Sequence, residues 1–263
     1  MRYGFIGLGN MASAIIRGMI ASDRFRPRQI QGYDILPETA SALARSTGIT
    51  LLESPAEAAR ADILILAVKP QILEGVLRDL RALPLDCALV ISIAAGRDLA
   101  FLQTWLGENT PLVRVMPNIN AKVGAATSAL AANDRVSTEL KEEAARIFSS
   151  VGSVMELPET LFPVFGAIAG ASPAFCYLYI DALARAGVRG GMSRTQALKA
   201  AAGTVLGSAR MVLESGEHPF ALIDQVSSPA GTTVEGICAL QSLGFESAVH
   251  QAVAAVMRRE NSL

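Results

Sequence analysis

Residues 3–12 read Tyr3-Gly4-Phe5-Ile6-Gly7-Leu8-Gly9-Asn10-Met11-Ala12, and this stretch decides the fold of the first half of the chain. A short apolar run ends at Ile6, two glycines follow, and a helical apolar pattern begins at Met11. Gly7 permits a tight strand-to-helix turn, and Gly9 has no side chain to keep a pyrophosphate away from the backbone. The N–H groups at the helix start also attract phosphate through the helix dipole. The stretch therefore predicts a dinucleotide-binding βαβ unit, with small Ala12 in place of a third glycine.

Composition narrows the functional classes. The 263 residues carry a net charge of −1 and contain no basic run, so nothing favours nucleic-acid binding. The three cysteines are far apart and have no metal-ligand spacing, and we expect no metal site. The glycine motif begins too early for a signal peptide, which predicts a cytoplasmic protein. Residues 161–180 lack charge, but their prolines and glycines favour a buried helix over a membrane span.

Strand and helix signals alternate through about residue 157. The second strand, Gln29 to Tyr33, ends at Asp34, and later strands are expected at residues 62–68, 88–93, 111–116, 127–131 and 152–157. Continuous apolar runs such as the one at 62–68 are typical of parallel strands buried on both faces. This alternation predicts an α/β fold, a Rossmann-type doubly wound sheet over residues 1–158.

After residue 158 the strand signals stop and Ala-rich helical patterns follow. Helices are expected at 161–186, 193–214, 220–226, 233–243 and 246–259, with Gly187 and Gly244 as C-terminal caps. Such helices are apolar nearly all round, so they must be covered on all sides. Residues 159–263 are therefore predicted to form an all-α dimerisation domain, and the protein a homodimer.

Candidate ligand-binding residues fall at strand ends. Asp34 stands where an acidic side chain accepts hydrogen bonds from the adenosine ribose, and no Lys or Arg follows it before Arg45, which favours NADH. The alternative is a helix-capping role. Ala67-Val68-Lys69-Pro70 ends another strand, where Lys69 has the chemistry to donate to a ribose or phosphate oxygen. The turns at 92–96 and 116–118 are expected to line the nicotinamide pocket at the same edge.

The stretch Val226-Ser227-Ser228-Pro229-Ala230-Gly231-Thr232-Thr233 is the most unusual part of the chain. Four hydroxyl side chains flank a Pro-Ala-Gly turn just before a predicted helix. Hydroxyls and N–H groups that converge at a helix N-terminus suit a carboxylate. The alternative is an N-cap formed by Thr232 or Thr233 alone. The two histidines, His218 and His250, belong to no recognisable catalytic arrangement.

Several motifs resemble those of Δ1-pyrroline-5-carboxylate reductases, in the same order along the chain. They are the glycine turn, Ala67-Val68-Lys69-Pro70, Met116-Pro117-Asn118 and the serine–threonine stretch, joined by Gly191-Met192-Ser193 and Leu243-Gly244-Phe245. The resemblance covers essentially the whole chain. It implies reduction of a small cyclic imine to L-proline by NADPH or NADH, in a homodimer that often assembles further.

The resemblance also implies roles for individual residues. The cofactor would be held by Ile6, Gly7, Leu8, Gly9, Asn10 and Met11, by Ala67, Val68, Lys69 and Pro70, and by Ile93, Ala94 and Ala95. Substrate would be bound by Ser228, Gly231, Thr232, Thr233 and Glu159. Our hypothesis is that Thr233 is catalytic and donates to, or steers a proton toward, the ring nitrogen of the imine.

Two departures from the family pattern remain. The chain has Ala169-Gly170-Ala171-Ser172 where the family usually has Ser-Gly-Ser-Gly, and Ala230 where it usually has a second glycine. Ala230 would narrow a carboxylate site if its position needs a positive φ. A β-hydroxyacid dehydrogenase is a rival interpretation, but residues 166–186 lack the lysine that such enzymes use. A non-catalytic NAD(P)-binding regulatory dimer is the other alternative.

Overall fold

An eight-stranded sheet organises the N-terminal half of the computed structural model, which describes residues 1–260. The strand order is β3-β2-β1-β4-β5-β6-β7-β8, and all neighbours are parallel except β6 and β7. The strands are β1 Tyr3–Ile6, β2 Ile30–Tyr33, β3 Thr50–Leu51, β4 Ile63–Leu66, β5 Leu89–Ser92, β6 Leu112–Met116, β7 Ala126–Ala132 and β8 Gly152–Glu156.

Helices cover both faces of this sheet because alternate strand residues point to opposite sides. One face packs on apolar residues of α1, α2 and α6, and the other on those of α4 and α5. The helices of this half are α1 Asn10–Ala21, α2 Pro37–Thr47, α3 Pro55–Ala58, α4 Pro70–Arg81, α5 Leu99–Leu106, α6 Thr138–Phe148 and α7 Phe162–Phe165. The predicted doubly wound sheet is confirmed.

Two features of the sheet were not expected. The edge strand β3 has only two residues, too few for a periodic signal, and pairs with β2. Strand β7 runs antiparallel to β6. The connection between them holds a short 3-10 helix, Ile119–Val123, and is too short for the helical crossover that a parallel neighbour needs.

The segment after β8 is more irregular than the single helix expected at 161–186. A 3-10 turn, Glu159–Leu161, leads into α7, and a π-helical stretch, Gly166–Ala171, follows. Phe162, Phe165 and Ala169 pack into the core on the sheet side that carries α4 and α5. Their burial keeps this segment with the N-terminal unit, because each large apolar side chain removed from water stabilises its position by about 2 kcal/mol.

The chain divides into two compact units, Met1–Gly170 and Ala171–Arg259. The second is all helical and comprises α8 Ser172–Arg189, α9 Arg194–Ser215, α10 Pro219–Gln225, α11 Thr232–Ser242 and α12 Phe245–Glu260. The predicted domain ends at residue 263, and its last three residues lie outside the described part of the chain. This helical C-terminal half confirms the second element of the predicted fold class.

The expected capping of the helical unit is correct at one end and wrong at another. Ser193 and Gln196 form the predicted reciprocal capping box at the start of α9, and Gly244 has the positive φ, +77°, of a helix-ending glycine. Gly187, however, lies inside α8, which continues to Arg189. A Cβ at Gly187 would lie 3.1 Å from the Cβ of Ala197. This glycine therefore serves the close contact between α8 and α9.

The helical segment Glu159–Arg189 is long and apolar enough to cross a membrane by length and composition. Only a third of its most apolar window is buried within the chain. Core helices of globular proteins and dimer interfaces meet the same criterion, so this property is weak evidence for a membrane span.

Candidate active site

The glycine turn has the geometry of a phosphate-binding loop. Gly7 adopts φ +93°, and a Cβ there would lie 2.8 Å from the carbonyl oxygen of Ala67, so no other residue fits without strain. Its N–H donates to the Tyr33 carbonyl at 2.8 Å. Strands β1 and β4 lie next to each other at the point where the strand order reverses, which is where open α/β sheets bind ligands.

Open space lies in front of the first turn of α1. Gly9 is the N-cap of α1, has φ −67° and ψ −168°, and a Cβ there would meet no atom within 4 Å. No side chain caps this end of the helix, and no acidic residue lies in its first turn. The N–H groups of this turn are thus directed at a space that an anion can enter. The residues present fit the pyrophosphate of a dinucleotide.

Asp34 lies directly beside the glycine turn. Its Oδ2 accepts a hydrogen bond from the Leu8 N–H at 2.6 Å, and its Oδ1 accepts one from the Leu36 N–H at 2.9 Å. The alternative of a helix-capping aspartate is wrong, because Leu36 is the N-cap of α2 and no side chain caps this helix. Asp34 binds the N–H of that N-cap residue, and the bond to Leu8 was not foreseen. Ile35 and Leu36, which follow, are 76% and 61% exposed. A fixed carboxylate is flanked by apolar surface.

Two further loops reach the same edge of the sheet. Lys69 is the exposed N-cap of α4, with Pro70 at the first helical position. No hydrogen bond or ion pair of the Lys69 side chain is present in residues 1–260. At the end of β5 the buried Ser92 hydroxyl accepts from the Ala94 N–H at 3.3 Å and fixes the turn that Ile93 begins. The structure thus brings the predicted cofactor loops together at one edge.

Asn118 has a structural role that the sequence did not indicate. It is 6% exposed, its Nδ2 donates to the Ala169 carbonyl at 2.9 Å, and its Oδ1 accepts from the Thr127 N–H at 3.3 Å. The residue four positions after Ala169 is Pro173, which has no N–H, so the Ala169 carbonyl lacks the usual α-helical donor and accepts from this side chain. Asn118 therefore fixes the segment in which the chain departs from the family pattern.

Glu159 is engaged within the N-terminal unit. Its Oε1 accepts from Arg114 Nη1 at 2.8 Å, and its carboxylate also accepts from the Leu99 N–H at 2.9 Å. The Arg114 guanidinium, almost fully buried, also stacks 4.7 Å from the centre of the Phe162 ring. The carboxylate expected to contact substrate is thus used to join β6, α5 and the segment after β8. In the sequence, Arg114 stands between apolar residues of a predicted strand, and this position could have indicated a buried ion pair.

The serine–threonine stretch forms a tight turn before α11. The Gly231 N–H donates to the Ser228 carbonyl at 2.9 Å, with Pro229 and Ala230 between them, and Ala230 has φ +57°. Proline followed by a positive φ is the pattern of a type II turn. The position does need a positive φ, so Ala230 stands where glycine would be unstrained. A Cβ at Gly231 would lie 2.3 Å from Ser228 Oγ, which explains the glycine there.

Neither threonine caps its own helix. Gly231 is the N-cap of α11 and offers no side-chain bond, so the alternative of a simple threonine N-cap is wrong. Thr232 and Thr233 are exposed in the first turn of α11, which also carries Glu235. Within the described residues, the buried Ser227 Oγ has no hydrogen-bond partner. The turn therefore presents hydroxyls and helix N–H groups without internal partners, the combination that suits a carboxylate.

Other reactive side chains are not placed for catalysis. His218 accepts a hydrogen bond from the Phe220 N–H at the start of α10, and His250 lies within α12. Burial raises the pKa of the Cys87 thiol to about 11, which keeps it a neutral, weak nucleophile at neutral pH. Among residues 1–260 no group of three His, Cys, Asp or Glu side chains is arranged to hold a metal ion.

Comparison with known families identifies related proteins over the whole chain. A family model described as pyrroline-5-carboxylate reductase dimerisation matches residues 159–263. A second, described as NADP oxidoreductase coenzyme F420-dependent, matches residues 2–96. A pyrroline-5-carboxylate reductase of Escherichia coli is 42% identical over 264 aligned residues, which span 100% of this chain and 98% of the relative.

Solved structures agree with these matches. A pyrroline-5-carboxylate reductase from Coxiella burnetii superposes with a TM-score of 0.94 at 31% identity, covering 99% of this chain and 97% of the other. A pyrroline carboxylate reductase from Plasmodium falciparum, with NADP bound, gives a TM-score of 0.88 at 31% identity and covers 100% and 97% of the two chains.

Proposed function

The chain belongs to the pyrroline-5-carboxylate reductase family, and from that membership we propose how its residues reduce Δ1-pyrroline-5-carboxylate to L-proline with NAD(P)H. It is an oxidoreductase of proline biosynthesis. The observation that carries this conclusion is the 42% identity over the complete chain. The rival assignments, a β-hydroxyacid dehydrogenase and a non-catalytic NAD(P)-binding dimer, are therefore not retained.

The proposed division of labour follows the two parts of the chain. Residues 1–158 bind the dinucleotide, and residues 159–263 provide dimerisation and substrate binding. The cofactor, when bound, supplies a hydride to the imine carbon of the substrate. We assign its binding to the glycine turn, to Asp34, and to the strand-end turns 67–70 and 93–95. The open space at Gly9 and the uncapped N–H groups in the first turn of α1 support this assignment.

The serine–threonine turn is the proposed substrate site. The substrate is a small anion whose carboxylate needs several donors. The Gly231 N–H is already bonded to the Ser228 carbonyl, so the backbone donors proposed for the carboxylate are those of the first turn of α11, which begins with Thr232 and Thr233. The orphaned Ser227 hydroxyl supports a polar ligand beside this turn. We keep Ser228 and Gly231 as residues that shape the site.

Thr233 is the proposed catalytic residue. A protonated imine is already electrophilic at carbon, so the protein mainly orients the reactants and excludes water. The Thr233 hydroxyl donates to, or steers a proton toward, the ring nitrogen, while the neighbouring N–H groups hold the carboxylate. Glu159 acts indirectly, as a positioning residue whose carboxylate binds Arg114 and the Leu99 N–H at the start of α5.

We also infer that the working unit is a homodimer and that such dimers assemble further. We infer that the protein acts in the cytoplasm. The dimerisation domain supports the first point. Exposed apolar side chains along the C-terminal helices support it as well, among them Leu178 and Leu206. The free cysteines, Cys87, Cys176 and Cys238, suit a reducing compartment.

The assay that tests the function follows oxidation of NADH and NADPH when Δ1-pyrroline-5-carboxylate is added, with a β-hydroxyacid and the oxidised cofactors as counter-substrates. We expect imine-dependent turnover and none with the hydroxyacid. Turnover of the hydroxyacid alone would overturn the assignment.

Thr233→Val and Thr233→Ser test the catalytic role. Valine has the same shape without the hydroxyl, and serine keeps the hydroxyl. We expect kcat of Thr233→Val to fall at least about a hundredfold, the usual range for loss of proton-transfer assistance, with little change in NADH affinity. Thr233→Ser should retain most of the activity. Unchanged turnover in Thr233→Val would contradict the assignment.

A further inference from the structure

The carboxylate of Asp34 is held in one orientation by two backbone donors. The Leu8 N–H binds Oδ2 at 2.6 Å and the Leu36 N–H binds Oδ1 at 2.9 Å. Leu8 is the middle residue of the glycine turn, and its buried side chain packs over Gly32 of β2. Asp34 thus fastens the end of β2 to the turn that faces the dinucleotide. Each carboxylate oxygen retains acceptor capacity beyond these bonds.

Positive charge is distant from this carboxylate. The first basic residue after Asp34 is Arg45, in the last turn of α2, about 12 Å along the helix from its start at Pro37. Arg17 donates to Ser46 at 2.7 Å and so lies at the same far end of α2. Lys69 lies at the start of α4, after β4, and β4 is two strand positions from β2, a spacing of about 10 Å. A phosphate on the adenosine ribose would meet a fixed carboxylate without a neighbouring cation.

We propose that Asp34 makes this chain selective for NADH over NADPH, through a carboxylate whose orientation Leu8 and Leu36 fix. The inference rests on the proposed cofactor site. The free lone pairs of Asp34 accept the two ribose hydroxyls of NADH. In NADPH one hydroxyl is replaced by a group with nearly two negative charges, which the carboxylate repels. This chain would then differ from the Plasmodium falciparum relative that was solved with NADP bound.

Direct binding measurements test the selectivity independently of turnover. Isothermal titration of the full-length protein with NADH and NADPH, without imine, should give at least about tenfold tighter binding of NADH at low ionic strength. Added salt should narrow the ratio, because it screens repulsion between partly exposed charges. A selectivity that came only from shape would not respond to salt in this way.

Three variants separate charge from structure. Asp34→Asn removes the charge and keeps one oxygen for the Leu8 N–H, while its NH2 group cannot accept from the Leu36 N–H. We therefore expect NADPH affinity to rise about tenfold with only a small fall in Tm. Asp34→Ala loses the acceptor too, and should weaken binding of both dinucleotides and lower Tm. Asp79→Asn removes the charge of an exposed residue on α4 and serves as the matched control, with both affinities unchanged.

Equal or tighter binding of NADPH by the wild type would overturn the inference, and so would an unchanged ratio in Asp34→Asn. Selective NADH binding by a protein that does not reduce the imine would refute the proposed reaction and leave the role of Asp34 standing. Imine reduction with a preference for NADPH would support the proposed reaction and refute the role of Asp34.

Discussion

Single residues of this chain show how backbone conformation limits side-chain choice. Gly7 and Ala230 both have positive φ, +93° and +57°, yet only the first position is occupied by glycine. A left-handed alanine costs about 1 kcal/mol, which a folded domain tolerates when the surroundings hold the turn. The Ser228–Gly231 hydrogen bond and Pro229 provide that support. The departure at Ala230 is therefore compatible with the turn, at a small cost in stability.

Gly9→Ala should weaken NADH binding and leave stability unchanged, whereas Gly7→Ala should destabilise the fold. Gly9 has an allowed backbone conformation and open space around it, so alanine should leave Tm nearly unchanged and raise the Kd for NADH at least about tenfold by filling that space. Gly7→Ala should destabilise the fold by about 3 kcal/mol, because strain and a clash with Ala67 add. Thermal unfolding and calorimetric titration check both. Unchanged NADH affinity in Gly9→Ala would refute the assigned phosphate site.

Secondary-structure elements are joined by a few buried polar contacts as well as by apolar packing. Tyr3 of β1 donates to Glu143 of α6 at 2.6 Å and accepts from Arg146 at 3.0 Å, while the Arg146 guanidinium stacks on Phe25. Burial, reinforced by the bond to Glu143, raises the pKa of Tyr3 well above its usual value. The cluster thus holds a neutral phenol against a helix on one face of the sheet.

This pKa shift predicts loss of stability in alkali. The folded chain keeps the Tyr3 proton above about pH 10, where the unfolded chain releases it. The contribution is therefore complete below about pH 10 and is lost as pH rises further. Tm of the wild type should fall more steeply above pH 10 than that of Tyr3→Phe, with the exposed Tyr177→Phe as control. Parallel Tm–pH curves for wild type and Tyr3→Phe would contradict the prediction.

Much of the element order was predictable from the sequence, and its irregular parts were not. The apolar runs at 62–68 and 88–93 predicted β4 and β5 because both faces of these strands are buried. The two-residue β3 and the π-helical stretch Gly166–Ala171 have no periodic signal. Their conformations depend on partners elsewhere, such as Asn118, which binds Ala169.

At the scale of the whole molecule, the C-terminal helices have only a small core of their own, formed by Ala184, Ala197 and Ala201 with the partly buried Ile180. Helix α9 has 22 residues, of which Ala197 and Ala201 are buried, while Leu206 is 64% and Leu213 83% exposed in the single chain. Exposed apolar surface of this extent is characteristic of an interface. The helical half is therefore expected to be stable only in association with a second copy.

Leu206→Glu tests that expectation. Because Leu206 is exposed in the single chain, glutamate should break no contact within the subunit, but it would bury a charge in a dimer interface. We expect the dimer Kd to rise at least about a hundredfold, with Tm becoming strongly dependent on protein concentration. Light scattering after gel filtration measures the mass. Val123→Glu, at an exposed site of the N-terminal unit, is the control. A dimeric Leu206→Glu as tight as wild type would exclude this face of α9 from the interface.

The sequence by itself determined the fold class, the strand-to-helix turn at Gly7 and Gly9, and the family, because these depend on local periodicity and on residue types within short motifs. Only the tertiary structure decided the pairing of residues far apart in the chain. Asp34 meets Leu8 across 26 residues, Arg114 meets Glu159 across 45, and Asn118 meets Ala169 across 51. A local sequence pattern carries no information about such partners, because a polar group can pair with any donor or acceptor that folding brings within reach.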